Sequence, residues 1–144
     1  QETEIDVSTV EEKPFEASIK PPKADALAAA LADKGVVSLY INFDFDKATL
    51  RPDAAPIIAQ VVALLKNDAG LKLEVDGNTD NIGGHDYNVT LSQQRAETVV
   101  AALEGAGIAA DRLSAVGNGP DKPIADNDDS RGRAQNRRVD LVKM

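Results

Sequence analysis

The feature that most constrains the fold is an alternation between two hydrophobic periods along the chain. Segments in which every second residue is apolar predict half-buried strands, and segments with apolar residues three and four apart predict amphipathic helices. Strand patterns cover Val36–Phe45, Leu71–Gly77, Leu113–Val116 and Arg138–Val142. Helical patterns cover Ala24–Lys34, Pro52–Lys66 and about Tyr87–Glu104. From the first strand onward the predicted order is therefore β-α-β-α-β-β.

This order predicts an α+β fold built on one sheet. Alternating strands and helices favour parallel strand pairs that are joined by crossover helices. The Gly-, Asp- and Pro-rich stretch from Gly117 to Arg133 is predicted to be a long loop. A loop of that length allows the last strand to run antiparallel to its neighbours.

Proline and glycine mark the predicted helix ends. Pro22 and Gly35 flank the first helix, and Pro52 occupies a first-turn position in the second, as proline and glycine commonly do. The third helix is predicted over about Tyr87–Glu104, and its start could lie anywhere from His85 to Ser92.

The strand pattern at Leu71–Gly77 alternates without interruption, so its two faces can be predicted. The core-facing residues are Leu71, Leu73 and Val75, and the solvent-facing residues are Lys72, Glu74 and Asp76.

The first 23 residues are acidic, and three prolines interrupt any regular element. This segment is predicted to be a linker or tail, and a tether and an ordinary disordered terminus explain it equally well. The expected division of the chain is a tail at 1–23, a short helix and lead-in at 24–37, and a folded domain at 38–144.

Charge and composition exclude several classes of protein. The net charge of −8 and the pI of about 4.6 disfavour general nucleic-acid binding. The arginines at 131, 133, 137 and 138 are offset by nearby aspartates, which predicts a mixed-charge surface. The chain has no cysteine and one histidine, so we expect neither a metal site nor a cofactor.

No stretch of the sequence approaches the roughly 20 apolar residues that span a bilayer. The chain begins at Gln1 rather than at methionine, which predicts a trimmed fragment or a mature form. Any membrane attachment is therefore expected to use a segment that is absent from this chain.

Several separated motifs resemble the OmpA-like C-terminal domain, which also occurs in peptidoglycan-associated lipoproteins and in MotB-type stator proteins. The motifs are FDFDKATLRPDA (43–54), DGNTDNIGGHDYNVTLSQQRAETV (76–99), GI (107–108), RLSAVGNGPDKPIADN (112–127) and GRAQNRRVDL (132–141). They stand in the family's order between about Leu39 and Val142. The resemblance implies a mixed four-stranded sheet in the order 1-4-2-3, with strand 4 antiparallel and the helices packed on one face.

The resemblance also implies non-covalent binding of peptidoglycan stem peptides, and in Gram-negative walls the recognised residue is meso-diaminopimelate. The expected location is the periplasm, attached to the cell outer membrane. One departure from the family is Asn78, which stands where the family usually has histidine.

The central site prediction is a charge pair formed by Asp80 and Arg95. Diaminopimelate ends in an ammonium and a carboxylate on one carbon, so its receptor needs a fixed anion and a fixed cation close together. The planar guanidinium of arginine can hold a carboxylate through two parallel hydrogen bonds. The alternative is an ordinary surface salt bridge worth about 0–1 kcal/mol. We predict that Asp80→Ala or Arg95→Ala abolishes binding while the domain stays folded.

Further candidate ligand-binding residues surround that pair. Asp46 matches a position at the edge of the family's cleft, and a role in a turn or helix cap is equally probable for it. The remaining candidates are Thr79, Asn88, Leu91, Ser92 and Arg138. Asn88 and Ser92 are expected to satisfy backbone groups, with contact to the ligand equally well supported. Leu91 is expected to offer backbone contacts to the peptide, with core packing as the alternative. Of the two adjacent arginines, Arg138 is predicted to face the cleft, with a salt bridge to an acidic neighbour as its principal role.

Other functions find less support in the sequence. A Ser92–His85 catalytic arrangement lacks a nucleophile-elbow motif, and Asp44 and Asp46 adjoin a polar turn, so we predict that the protein is not an enzyme. The alternative to wall binding is an OmpA-like interaction domain that has lost its ligand, which the departure at Asn78 keeps open. The acidic tail and the first helix could also support a homodimer.

Overall fold

Four helices and four strands make up residues 21–144, the part of the chain that the computed structural model describes. The predicted tail covers residues 1–23. Its first 20 residues lie outside the described part of the chain, and only its last three are described. The elements are α1 (Ala24–Lys34), β1 (Val36–Leu39), α2 (Ala55–Asn67), β2 (Leu73–Asn78), α3 (His85–Gly105), β3 (Leu113–Gly119), α4 (Ser130–Asn136) and β4 (Arg138–Lys143). Short 3-10 turns at Pro52–Ala54 and Ala110–Arg112 precede α2 and β3.

The strands form one mixed sheet in the order β1-β4-β2-β3. β2 and β3 are parallel, and β4 runs antiparallel to both of its neighbours. The predicted fold is therefore confirmed, including the reversed last strand. The register pairs Val75 with Leu141 and Asn78 with Arg138.

One hydrophobic core joins the helices to a single face of the sheet. The sheet contributes Leu39, Leu73, Val75, Val139 and Leu141, and the helices contribute Leu27, Leu31, Ile57, Val61, Leu64, Leu65, Ala96, Val99 and Leu103. Because α1 places two leucines in this core, it packs together with the rest of the fold. The expected division between residues 37 and 38 stays a prediction.

No helix within residues 21–144 is both long enough and apolar enough to cross a membrane.

The first strand is shorter than its sequence pattern predicted. Alternation continues to Phe45, but β1 ends at Leu39, where its pairing with Val139 of β4 also ends. The following residues form a turn instead, closed by a bridge between Phe43 and Leu50. The predicted strand was therefore too long, because apolar and polar residues continue to alternate beyond Leu39, where no partner strand is available.

The predicted loop from Gly117 to Arg133 contains two regular segments, so that prediction was wrong in part. β3 continues to Gly119, and α4 begins at Ser130. The side chain of Asp129 accepts a hydrogen bond from the backbone N–H of Gly132 at 2.7 Å and caps α4. Ala134 is the only buried apolar residue of α4, so the helix carries no periodic signal in the sequence.

The ends of β2 and β3 that lead to the site lie directly against the backbone of α3, with no side chain between them at Gly77 and Gly117. A Cβ atom at Gly77 would lie 2.3 Å from the backbone oxygen of Ser92, and one at Gly117 would lie 2.4 Å from the backbone nitrogen of Gln93. Glycine at both positions therefore sets how closely α3 approaches the ends of β2 and β3.

Gly77→Ala is expected to destabilise the domain by about 1–3 kcal/mol or more, because the added methyl group meets rigid helix backbone. Urea unfolding would measure this change. Gly105→Ala, where a Cβ atom would meet nothing within 4 Å, is the matched control. Equal stability of the two variants would show that α3 can move away from β2 at little cost.

Candidate functional site

A cluster of buried polar side chains lies where β2 and β3 end and α3 begins. Each member is less than a tenth exposed: Asn78, Thr79, Asp80, Asn88, Ser92, Arg95, Asn136 and Arg138. A buried polar group without a partner costs about 1–3 kcal/mol, so such a cluster requires internal bonds. Six of the eight predicted site residues belong to this cluster, which we take as the candidate site.

Asp80 is the most deeply buried carboxylate of the cluster, at 2% exposure. Its Oδ1 accepts from the backbone N–H of Ile82 at 3.0 Å, which folds the start of the loop around the carboxylate. Its Oδ2 accepts from Nη1 of Arg137 at 2.7 Å. The charge that meets Asp80 therefore comes from the segment between α4 and β4.

The arginine that contacts Asp80 is Arg137, whereas the sequence pattern had favoured Arg138 for the side that faces the cleft. The prediction assumed that both residues lie on an alternating strand. Arg137 is instead the residue that caps α4, with φ of −82° and ψ of 87°, and β4 begins only at Arg138. The direction of its side chain is therefore set by the end of the helix.

Arg138 has a structural role. Its Nε donates to Oδ1 of Asp140 at 3.1 Å, and its Nη2 donates to the backbone oxygen of Lys122 at 2.9 Å. These bonds tie β4 to the loop that follows β3. The predicted salt bridge to an acidic neighbour is confirmed.

Arg95 lies in the middle of α3 and reaches the turn after β1. Its Nε donates to the backbone oxygen of Lys47 at 2.8 Å, and its Nη2 lies 3.5 Å from the backbone oxygen of Asp44. The guanidinium carbon lies 4.8 Å from the centre of the Phe43 ring, within the range of a cation–π contact. Arg95 therefore anchors the turn that borders the cluster.

Asp46 occupies that turn with a φ of 58°, and it is the only described residue other than glycine with a positive φ. Aspartate tolerates this left-handed conformation better than most residues. The carboxylate of Asp46 accepts a hydrogen bond from the hydroxyl of Tyr87 in the first turn of α3. The geometry gives Asp46 its turn role, and its contact with a ligand stays a prediction.

Asn88 and Ser92 satisfy backbone groups, as predicted. Asn88 donates through Nδ2 to the backbone oxygen of Ile82 at 2.8 Å and so holds the loop before α3. The Ser92 hydroxyl donates to the backbone oxygen of Val89 and accepts from the backbone N–H of Gly119, both at 2.9 Å. These two side chains fix the start of α3 against the end of β3.

Thr79 and Leu91 contribute in different ways. The backbone N–H of Thr79 donates to Gly119 at 2.9 Å, and its hydroxyl donates to the backbone oxygen of Asp80 at 2.7 Å. Thr79 therefore fixes the backbone that carries Asp80. The side chain of Leu91 is buried at 4% exposure, which fits the alternative of core packing, and its backbone contact with a peptide stays a prediction.

Asp76 is a buried titratable residue that the sequence pattern missed. It was predicted to face solvent, yet it is only 5% exposed. Its Oδ1 has no hydrogen-bond partner, and Nδ2 of Asn118 lies 3.5 Å from its Oδ2. Burial and then the neighbouring Glu74 carboxyl raise the pKa of Asp76 to about 7.

Asn78, which replaces the family's usual histidine, makes internal bonds on the same sheet face as Asp76. Its Nδ2 donates to the backbone oxygen of Asp76 at 3.2 Å, and its Oδ1 accepts from Nδ2 of Asn118 at 3.1 Å. An amide can make both bonds at once because it carries both donors and an acceptor. The substitution thus fits the packing of this face.

His85 and Ser92 do not form a catalytic pair. His85 is exposed and bonds through Nε2 to Asp121 at 2.8 Å and through Nδ1 to Asp86 at 3.2 Å. The Asp121 and then the Asp86 hydrogen bonds raise the pKa of His85 above its ordinary value. Ser92 is 1% exposed, and its hydroxyl bonds to backbone. Within residues 21–144, no group of three or more acidic or histidine side chains could hold a metal ion.

Comparison with known proteins identifies relatives of this fold. A probable lipoprotein, YiaD, from Escherichia coli is 45% identical over 102 residues, which cover 71% of this chain and 47% of that protein. The peptidoglycan-binding protein ArfA from Mycobacterium tuberculosis is 40% identical over 102 residues, which cover 71% of this chain and 31% of ArfA. The match therefore spans less than half the length of each relative.

A solved structure shares the fold as well. The crystal structure of the peptidoglycan-associated lipoprotein from Burkholderia pseudomallei superposes with a TM-score of 0.65 at 36% identity, over 74% of this chain and 89% of that one. The sequence profile of the OmpA family matches residues 42–137, which include β2, α3, β3, α4 and every member of the polar cluster except Arg138. The chain belongs to the OmpA family.

Proposed function

We propose that this domain binds the stem peptide of peptidoglycan without covalent chemistry and anchors an envelope protein to the cell wall. Membership of the OmpA family supports this proposal, as do the wall-associated functions that the names of ArfA and the Burkholderia lipoprotein state. The proposal places the domain in the periplasm, at the outer membrane, where attachment would come from a segment outside this chain.

The observation that carries the proposal is a buried carboxylate that is paired with one arginine and has acceptor capacity left for a ligand. Asp80 accepts two hydrogen bonds, from Ile82 and Arg137, whereas a carboxylate can accept about four. A ligand ammonium can therefore join Arg137 at Asp80 without displacing it. Asp80 itself is 2% exposed, so the proposal requires that the residues packed around its carboxylate shift when the ligand ammonium binds.

In this proposal Arg95 binds the carboxylate of the diaminopimelate head. Its planar guanidinium suits a bidentate bond with a carboxylate, and it is held in place by backbone oxygens of the neighbouring turn. Arg137 joins the site as the resident counter-ion of Asp80, a role that the sequence pattern had not assigned to it.

The decisive test compares two stem tripeptides that differ at the third residue. Lysine has the side-chain ammonium of meso-diaminopimelate but lacks the carboxylate beside it. Loss of a close charge pair typically costs about 2–5 kcal/mol, so calorimetry should show at least ~30-fold weaker binding of the lysine peptide. Equal affinity for the two peptides would exclude recognition of the diaminopimelate head.

Arg95→Lys shows whether this discrimination comes from Arg95. The variant should weaken binding of the diaminopimelate peptide and leave the lysine peptide almost unaffected, because only the former has a carboxylate to lose. An equal loss for both peptides would show that Arg95 acts only by holding the turn. If the wild-type protein fails to sediment with purified sacculi, the alternative of an interaction domain without a wall ligand is the correct one.

A further inference from the structure

Two exposed aromatic side chains border the candidate site. The whole chain has three phenylalanines and two tyrosines. Phe45 and Tyr87 are each 46% exposed. Burying a large apolar side chain stabilises a protein. A fold that has few aromatic residues and exposes two of them therefore loses part of the stability that their burial would give. Exposed apolar side chains that lie together mark a binding surface.

The two rings are attached to the same small turn. The Tyr87 hydroxyl donates to the carboxylate of Asp46, and Phe45 immediately precedes Asp46. The turn is closed by backbone bonds from Asp44 to Thr49 at 2.7 Å and from Lys47 to Asp44 at 3.0 Å. The rings therefore stand on an ordered support.

The same support is bonded to the proposed ligand site. Arg95 donates to the backbone oxygen of Lys47 in this turn. Its Nη2 also lies 3.5 Å from the backbone oxygen of Asp44. The guanidinium to which the proposed function assigns the diaminopimelate carboxylate therefore lies at the same turn as the aromatic pair.

The length of the stem peptide allows its sugar to reach this surface. In a stem peptide, two residues separate diaminopimelate from the lactyl group that joins the peptide to its sugar. Two extended residues span about 7 Å, so with the lactyl group the sugar lies on the order of 10 Å from the diaminopimelate residue. This connection is flexible, so a peptide whose diaminopimelate head is held at Arg95 can fold back and place its sugar on the aromatic pair beside that guanidinium.

We infer that Phe45 and Tyr87 form a second subsite that binds the N-acetylated sugar of the glycan strand beside the stem peptide. This inference rests on the proposed function. The weakly positive C–H face of a pyranose ring is attracted to the negative face of an aromatic ring. The Asp46 carboxylate between the two aromatic residues can accept hydrogen bonds from sugar hydroxyls.

The charges around the rings favour a neutral ligand rich in hydroxyl groups over an anionic membrane. Asp44 and Asp46 flank Phe45, and Asp86 precedes Tyr87. These carboxylates would repel acidic lipid headgroups. A sugar satisfies both features of the surface, because it offers an apolar face and hydroxyl donors together.

The test uses calorimetry with two ligands: the diaminopimelate stem tripeptide alone, and the same tripeptide attached to its disaccharide. The wild-type protein should bind the disaccharide ligand about 3- to 10-fold more tightly, which is the range of one or two aromatic contacts. Phe45→Ala and Tyr87→Ala should each remove most of this advantage and leave the affinity for the bare tripeptide unchanged.

Two further variants separate the rings from other effects. Tyr87→Phe keeps the ring but loses the bond to Asp46, so it should retain the preference for the disaccharide ligand. Met144→Ala removes an equally accessible side chain, 56% exposed at the end of the chain beyond β4, and should change neither affinity.

The results distinguish this subsite from the function on which it rests. Equal wild-type affinity for the two ligands, or an equal loss in Tyr87→Phe and Tyr87→Ala, would overturn the sugar subsite and leave stem-peptide binding intact. A Phe45→Ala variant that weakens both ligands alike would overturn it as well. Failure of the wild-type protein to bind the bare tripeptide would instead contradict the proposed function.

Discussion

Replacing Asp80 with alanine should abolish stem-peptide binding and destabilise the domain at the same time. The substitution removes the proposed partner of the ligand ammonium, a loss that typically costs about 2–5 kcal/mol of binding. It also leaves the guanidinium of Arg137, whose side chain is 11% exposed, without its carboxylate at 2.7 Å. Removing one partner of a buried ion pair typically costs about 3–5 kcal/mol of stability.

This expectation differs from the one drawn from sequence, in which Asp80→Ala leaves the fold intact. The difference arises because Asp80 is paired within the protein. Loss of binding in this variant is therefore interpretable only beside a measurement of its stability by urea unfolding.

The double variant Asp80→Ala with Arg137→Ala separates the two effects. It removes both buried charges, so part of the lost stability should return, whereas stem-peptide binding should remain absent. A double-mutant cycle on the unfolding free energies measures the interaction between the two side chains. If the double variant regains stem-peptide affinity, Asp80 is not the group that binds the ligand. If the losses of stability are additive, the 2.7 Å contact contributes nothing to folding.

Asp76→Asn should remove the part of the pH dependence of stability that the Asp76 carboxyl group causes. The pKa of Asp76 is raised from 3.8 to about 7, chiefly by burial and then by the Glu74 carboxyl. Between these two values the folded protein holds a proton that the unfolded chain has released. Stability therefore falls as the pH rises from about 4 to about 7, and the loss is complete above pH 7.

The size of this effect follows from the shift of about three pKa units. One unit corresponds to about 1.4 kcal/mol, so the upper limit is on the order of 4 kcal/mol. Asparagine cannot ionise, yet its amide can donate a hydrogen bond as the protonated carboxyl does. The variant should resemble the wild-type protein at pH 4 and be more stable at pH 8.

Urea unfolding of both proteins at these two pH values measures the difference directly. Asp33→Asn, which changes an exposed aspartate in α1, is the matched control and should leave the pH dependence unaltered. If the stability of the wild-type protein and that of Asp76→Asn change equally with pH, Asp76 is ionised in the folded state. Its Oδ1 must then have a hydrogen-bond partner in the solvent.

Local sequence patterns predicted much of the architecture. The bounds of α1 match the prediction at both ends, and α3 begins within its predicted range. These helix bounds are readable because hydrophobic periodicity and the proline and glycine signals at element ends act within a single segment. The sheet order and the reversed β4, which the resemblance to the OmpA-like domain implied, also agree with the structure.

The candidate site was predicted less completely. The sequence singled out Asp80 and Arg95 by resemblance, and the structure places both among the buried polar residues. Their protein partners were not foreseen: Arg137 for Asp80, and the backbone of the Asp44–Lys47 turn for Arg95. Periodicity cannot reveal such contacts, because the paired residues stand 57 and 48 positions apart.

The sequence by itself determined the order of the four strands and of α1, α2 and α3, the core-facing residues of β2 and the family motifs that mark the site. The tertiary structure alone decided that β1 stops at Leu39, that Asp76 is buried and that Arg137 meets Asp80. The physical reason is the range of the interactions. A helix or strand pattern is set by neighbours a few residues apart, whereas burial and ion pairing depend on which segments the folded chain brings together.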